Sequence, residues 1–204
     1  MTSTLYSTAE NLAGSLAQRL DFQRLEGARG LIGTMAGIAI AVALLIAVGD
    51  AFGVLISNTD SAAPAGVYRV VSGKFQRGDL VAVCLPTAIA QEGLAHGYLR
   101  TGACAGNAEP VGKIVGALAG DVVEIEPGFV AVNGVRFKRS AVAARDSAGR
   151  LLRHIAWGSY RVAAAQVWLF GFNDRRSWDS RYFGPVPIAN VRGQINPVVV
   201  WRMP

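Results

Sequence analysis

The chain has 204 residues, a formal net charge of +6 and an isoelectric point near 9.8. Its basic residues are scattered singly, without the Lys/Arg runs and interleaved aromatic residues of a nucleic-acid-binding surface, so we expect no nucleic-acid partner. Half of the residues are hydrophobic, and the length is sufficient for one membrane segment and one domain with a core.

The N-terminal part predicts a membrane anchor. Residues 1–29 are polar, whereas residues 30–49 contain no charged side chain and have the length that a helix needs to cross a hydrocarbon layer of roughly 30 Å. A cleaved signal peptide would have a shorter apolar core nearer the N-terminus. A buried globular helix would show a polar stripe. The sequence therefore predicts a single transmembrane helix over residues 30–49.

The charges beside this segment predict its orientation. Arginines 19, 24 and 29 precede it, whereas Asp50 and Asp60 follow it before any basic residue. The positive-inside rule then places residues 1–29 in the cytoplasm and exports residues 50–204, which in a bacterium means an inner-membrane protein with a periplasmic domain. In that compartment a disulfide between Cys84 and Cys104 is expected.

The exported part reads as an antiparallel β domain. The run from Val130 to Phe137 contains Asn133-Gly134 and predicts a hairpin with a type I′ turn. Residues 86–110 and 139–160 are rich in Gly, Ala and polar residues and are expected to be loops or small insertions. We therefore expect a mainly β, partly closed antiparallel fold. The apolar runs that predict its strands, each bounded by turn signals, are 67–71, 80–85, 111–118, 122–125, 129–132, 167–170 and 198–201.

Few residues in the sequence indicate chemistry. The two histidines, His96 and His154, lack neighbours at metal-ligand spacing, so we predict no metal site. The chemistry considered below requires no cofactor. Ser61 lies among small residues, where a serine usually forms a turn. Lys113 stands between apolar stretches; most such lysines extend to the surface. A desolvated lysine, however, loses affinity for its proton and can act as the base that a serine nucleophile needs.

Three segments together resemble a known family: Asn-Thr-Asp-Ser-Ala-Ala-Pro-Ala-Gly-Val-Tyr-Arg at 58–69, Gly-Lys-Ile-Val-Gly-Ala-Leu-Ala-Gly-Asp at 112–121, and Ser-Trp-Asp-Ser-Arg-Tyr-Phe-Gly-Pro-Val at 177–186. Their order after an apolar anchor is similar to that of the signal peptidase I clan (serine peptidase family S26), in particular the TraF-type conjugative-transfer peptidases. The resemblance extends from the anchor to about Val191. It implies a signal-peptidase-like catalytic domain.

The resemblance implies a Ser–Lys dyad. Ser61 matches the nucleophile and Lys113 the general base. Thr59 matches a position whose hydroxyl side chain helps the backbone N–H of the serine to bind the oxyanion.

Three further residues match supporting positions. Ser177 matches a hydroxyl that hydrogen-bonds and orients the lysine. Asp179 and Arg181 match an ion pair behind the site, with a structural rather than a chemical role.

One departure from the family pattern leaves a second assignment open. TraF-type sequences usually read Ser-x-Pro-x-Gly. Counting back from Pro64 places the nucleophile position at Ala62, as in an inactive homologue or an engineered serine-to-alanine variant. The position of Thr59 favours Ser61, as does the Ser-x-x-Pro spacing of the general signal peptidases.

The expected activity is cleavage of signal or leader peptides with small residues at P1 and P3. The resemblance implies a pilin precursor of a conjugative type IV secretion system as substrate, with a linear or cyclised product. The expected partners are the membrane, the precursor polypeptide and components of the secretion system. The alternatives are a housekeeping signal peptidase I, against which the short chain argues, and an inactive homologue that serves as a component of the secretion apparatus.

Overall fold

The computed structural model describes residues 33–44, 54–57, 62–174 and 176–201, with the backbone alone for 54–57. The chain divides into two units, Met1–Ala51 and Phe52–Pro204. In the first unit residues 33–44 form a helix, α1, within the apolar segment. Among the described residues, no helix combines the length and the apolar character of a membrane span. The remaining residues of the predicted span lie outside the described ranges.

The second unit consists of two antiparallel sheets. The strands are β1 (Val54–Ser57), β2 (Gly66–Val71), β3 (Leu80–Val83), β4 (Val111–Ala117), β5 (Val122–Glu126), β6 (Phe129–Val132), β7 (Val135–Arg136), β8 (Gly158–Arg161), β9 (Gln166–Phe170), β10 (Val186–Pro187) and β11 (Val191–Val200). The helices are α2 (Thr87–Ala95), α3 (Ser180–Phe183) and a 3-10 turn (Ile188–Asn190). One sheet has seven strands in the order β1-β2-β11-β3-β4-β9-β10, and the other has four in the order β7-β6-β5-β8.

The mainly β, antiparallel fold is confirmed, and each predicted apolar run coincides at least in part with a strand. The predicted hairpin is β6–β7, in which Val132 pairs with Val135. Asn133 and Gly134 between them have φ angles of 50° and 77°. Both values lie in the left-handed region that a type I′ turn requires, which explains why Asn-Gly occupies these positions.

The expectation of loops over residues 86–110 and 139–160 was wrong in two places. The first segment contains α2, which has only two buried residues, Ala90 and Gly93, and therefore lacks the broad apolar face that marks a helix in a sequence. The second contains most of β8, whose short polar sequence pairs with β5 alone. Neither element carries a strong local pattern.

Strand β11 is longer than its apolar run predicted. It begins at Val191 and pairs with both β2 and β3, so it lies inside the seven-stranded sheet. Gly193 and Pro197 interrupt the apolar pattern, and proline is unusual within a sheet because it lacks an N–H donor. The sheet accommodates both residues at irregularities, since the register shifts between Val191 and Gly193 and again after Pro197.

Strand β9 separates the two main clusters of buried apolar side chains. Val167 and Leu169 belong to one cluster, together with residues of β3 and β4. Trp168 and Phe170 belong to the other, together with residues of β5 and β6. Because side chains alternate along a strand, β9 packs against both clusters and joins the two sheets into one unit.

The two cysteines predicted to pair are joined in the structure, with an S–S distance of 2.03 Å. Cys84 follows β3, and the bridge closes a loop over a sequence separation of 20 residues that includes α2. Closing a loop of this length removes conformational entropy from the unfolded chain and contributes about 3 kcal/mol to stability. The disulfide therefore holds the α2 segment against the sheet.

Candidate active site

Lys113 lies in the middle of β4 with its side chain among apolar neighbours. It pairs with Val81 of β3, and both residues are buried, with Lys113 only 5% exposed. Val115, two residues further along the same strand face, belongs to the apolar cluster of β3 and β9. The strand therefore directs this lysine into the core instead of toward solvent.

The amino group of Lys113 has a defined partner. Its Nζ donates a hydrogen bond of 2.8 Å to the Oγ of Ser177, which is also buried. Ser177 is held by a turn, because its N–H donates to the carbonyl of Asp174 at 3.0 Å. This contact joins two residues that are 64 positions apart in the chain.

Burial changes the protonation of this lysine. Desolvation lowers the pKa of Lys113 to about 8. The positive charge of Arg181 contributes in the same direction, whereas the negative charges of Asp179 and Asp174 oppose it. A lysine with a pKa near 8 has a substantial neutral fraction at physiological pH, so its nitrogen lone pair can accept a proton.

Behind Ser177 lies a fully buried ion pair. Asp179 and Arg181 are both 0% exposed, and the guanidinium donates to both carboxylate oxygens at 2.8 Å, from Nε and from Nη2. The same carboxylate caps α3 by accepting from the N–H of Arg181, and it also accepts from the N–H of Gly171 at 2.9 Å. With these additional hydrogen bonds, the pair is satisfied despite its complete burial.

This ion pair also touches the candidate site directly. Nη2 of Arg181 donates to the carbonyl of Ser177 at 3.1 Å, and Nη1 donates to the carbonyl of Ala141 at 3.0 Å. Arg181 therefore fixes the backbone of the residue that holds the lysine. The sequence indicated the pair but not these two contacts.

Asp174 is a site residue that the sequence analysis missed. Its carboxylate accepts from the N–H of Arg176 at 2.8 Å and forms an ion pair with that side chain, and its carbonyl forms the turn to Ser177. An aspartate whose carboxylate accepts a hydrogen bond from the backbone N–H of the residue two positions later commonly forms a turn. The three-residue spacing of Asp174 and Ser177 in the sequence therefore indicated a turn that ends at Ser177.

The structure brings together four of the six residues assigned to the dyad and its support: Lys113, Ser177, Asp179 and Arg181. The assigned Ser61 and Thr59 lie outside the described residues. The description resumes at Ala62, which is buried at 8% exposure, and β2 begins at Gly66.

The described residues contain no group of three or more His, Cys, Asp or Glu side chains that could hold a metal ion. The ring nitrogen Nδ1 of His96 forms a hydrogen bond of 2.9 Å with the carbonyl of Glu92. His154 stacks on Trp157 with ring centroids 3.9 Å apart. Both histidines thus make local structural contacts.

The sequence of this chain is similar to those of known proteins. The family model described as "Signal peptidase, peptidase S26" matches residues 29–201. "Plasmid transfer protein TraF" of Escherichia coli is 32% identical over 81% of this chain and 95% of its own length. "Conjugal transfer protein TraF" of Agrobacterium fabrum is 38% identical over 69% of this chain and 80% of its own length. A crystal structure of a signal peptidase I from Enterococcus faecalis covers 62% of this chain and 100% of its own, with 25% identity and a TM-score of 0.38.

Proposed function

The chain belongs to the signal peptidase S26 family, and we propose that it is a serine peptidase that removes leader peptides from precursor polypeptides of a conjugative transfer system. The observation that carries this proposal is the buried Lys113, whose pKa is lowered to about 8 and whose amino group is oriented by Ser177. The names of the relatives, both of which are transfer proteins, support the conjugative context.

In the proposed reaction Ser61 is the nucleophile. Neutral Lys113 accepts the hydroxyl proton while Oγ attacks the scissile carbonyl, and the protonated amine then donates this proton to the leaving amino group. The resulting acyl-enzyme is released by water, or by an amine if the product is cyclised. This chemistry needs neither a metal nor a cofactor.

The other residues orient the dyad and stabilise charge. Thr59 and the backbone N–H of Ser61 would bind the oxyanion of the tetrahedral intermediate. Ser177 restricts the amine to one position, which favours proton transfer in a single geometry. The Asp179–Arg181 pair holds the backbone of Ser177 through the 3.1 Å hydrogen bond from Arg181.

The proposed substrate is a pilin precursor presented at the outer face of the bacterial inner membrane. Residues 30–49 would span the membrane with residues 1–29 in the cytoplasm and the peptidase domain in the periplasm. Tethering both enzyme and precursor to one membrane raises their effective concentration. Components of the type IV secretion system are the expected neighbours.

Cleavage of a pilin-type precursor in membranes tests the dyad. We expect the parent chain to cleave and the Ser61→Ala and Lys113→Ala variants to be inactive while they retain the Cys84–Cys104 disulfide. Lys113→Arg should also be inactive, because an arginine side chain does not become neutral at ordinary pH.

The same assay decides between the two nucleophile positions. If the parent is inert and Ala62→Ser restores cleavage, the family nucleophile belongs at position 62. The chain would then be an inactive homologue, and its role in transfer would not require peptidase activity.

A further inference from the structure

A small cavity of about 170 Å³ lies next to the candidate site. Its lining includes Arg176 and Trp178, the residues on either side of Ser177. Tyr98, Leu152 and Tyr182 provide further walls, so most of the interior is apolar or aromatic. An apolar cavity of about 150 Å³ is large enough for a benzene-sized group. This cavity therefore has room for one ring or one branched aliphatic side chain.

The walls of the cavity are held in place by contacts of their own. Tyr98 donates from its hydroxyl to Asp146 at 2.8 Å, and its ring lies 5.3 Å from that of Trp178. The Tyr182 hydroxyl accepts from the N–H of Ala143 at 3.1 Å. Tyr98 also lies within the loop that the disulfide closes. The cavity is thus formed before any ligand binds, which reduces the entropy cost of binding.

The charged groups around the cavity favour an acidic ligand. Asp146 has only 4% of its side chain exposed, and it is paired with Arg150 at 2.6 Å as well as with Tyr98. Arg176 is largely exposed but is paired with Asp174. Arg145 is exposed and donates to a carbonyl oxygen, that of Gly149 at 2.7 Å. The negative charge of the exposed Glu92 also acts on Tyr98. An acidic residue of a ligand is therefore favoured at one place in the cavity, beside Arg145.

We propose that this cavity is an accessory binding pocket for the precursor polypeptide, which accepts one aromatic or large aliphatic side chain that is adjacent to an acidic residue. The side chain would pack against Trp178 and Tyr98, and the acidic neighbour would meet Arg145. The lining of this pocket does not include Lys113, the proposed base, beside which small substrate residues are expected. The proposal rests on the proposed peptidase function and adds a second determinant of substrate choice.

The test measures binding of short peptides to the full-length chain in detergent micelles, in the parent and in the Lys113→Ala variant. The probe is the acetylated, amidated peptide Ser-Glu-Phe-Glu-Ser with a fluorescent label, compared with versions that carry Ala for Phe or Lys for Glu. We expect the Phe peptide to bind roughly tenfold more tightly than the Ala peptide, because a ring is buried. The Lys peptide should bind more weakly than the Glu peptide, and this difference should shrink at high salt.

Two variants place the binding in this cavity. Ala143 lines the cavity, and Ala143→Phe should fill it and abolish the preference for Phe over Ala. Arg145→Glu should weaken binding of the acidic peptide several-fold, whereas Lys138→Glu, an equal charge change at an exposed residue outside the cavity lining, should not. Photo-crosslinking from benzoylphenylalanine at the Phe position should label residues 143–152 or Tyr98.

Specific results would overturn the proposal. Equal affinities for the Phe and Ala peptides, unchanged binding by Ala143→Phe, or crosslinks to other segments would each do so. Because binding is also measured in Lys113→Ala, a failure of the peptidase proposal and a failure of the pocket are separate results.

Discussion

Replacing Lys113 by methionine should remove activity and at the same time stabilise the fold. The side chain is fully buried, and lowering its pKa from 10.5 to about 8 corresponds to about 3 kcal/mol of unfavourable interaction with the charged form. Methionine has a similar unbranched shape and no charge. It leaves the hydroxyl of Ser177 without its lysine partner, which costs about 1 kcal/mol. We therefore expect a net gain of about 2 kcal/mol in the free energy of unfolding at pH 7.

The gain should depend on pH in a defined direction. Between pH 8 and pH 10.5 the lysine is neutral in the folded state but still protonated in the unfolded state. The unfolded state then binds more protons, so the stability of the parent rises with pH across this window. The Lys113→Met variant lacks this contribution. The difference between the two chains should therefore be largest below pH 8 and should disappear toward pH 10.

Thermal unfolding followed by near-ultraviolet circular dichroism, at pH 7 to 10 in detergent, measures this difference. For a domain of this size 2 kcal/mol corresponds to an increase of about 4–8 °C in Tm. Lys138→Met, at an exposed lysine, serves as the control and should change Tm little. A lower Tm for Lys113→Met at pH 7, or a difference that stays constant with pH, would refute the conclusion that this lysine is held in an unfavourable charged state.

Three further outcomes follow from the site and the core. Single-turnover cleavage should rise about tenfold between pH 7 and pH 9, because the neutral fraction of a base with a pKa of about 8 increases from about a tenth to about nine tenths, as expected for Lys113. Asp179→Asn should lower the free energy of unfolding by about 3–5 kcal/mol, because it leaves Arg181 charged and buried without its partner. Gly116→Ala should lower it by about 1–3 kcal/mol, because the added Cβ would overlap the Phe170 ring. Thermal unfolding measures the last two effects.

The chain offers a matched control for each stability effect. Arg77→Gln breaks an ion pair with Asp121 in which the arginine side chain is 51% exposed, and it should cost less than about 1 kcal/mol. Gly128→Ala adds a Cβ that meets nothing within 4 Å. An Asp179→Asn effect as small as that of Arg77→Gln would contradict the role given to the buried pair. Equal effects of Gly116→Ala and Gly128→Ala on the free energy of unfolding would contradict the predicted overlap with the Phe170 ring. A cleavage rate that does not depend on pH would exclude Lys113 as the base.

Local patterns in the sequence were sufficient for several features of this protein. The apolar runs predicted strands because side chains alternate along an extended chain, and Asn133-Gly134 predicted a hairpin because few other residues adopt its dihedral angles. Lys113 was recognisable as a candidate base because charged residues rarely occur within an apolar strand. Each of these indications depends on neighbouring residues, so it can be read from a short segment.

The tertiary structure decided how these segments combine. No local pattern places β11 between β2 and β3, or brings Ser177 to a lysine 64 residues away. The hydrogen bonds from Arg181 to the carbonyls of Ser177 and Ala141 are equally invisible in the sequence, as is the cavity between Tyr98 and residues 143–152. Strand order and side-chain contacts of this kind depend on which apolar faces bury one another across the whole domain, and that free energy is a sum over distant residues. The same burial lowers the pKa of Lys113, so the property on which its proposed role depends belongs to the folded domain.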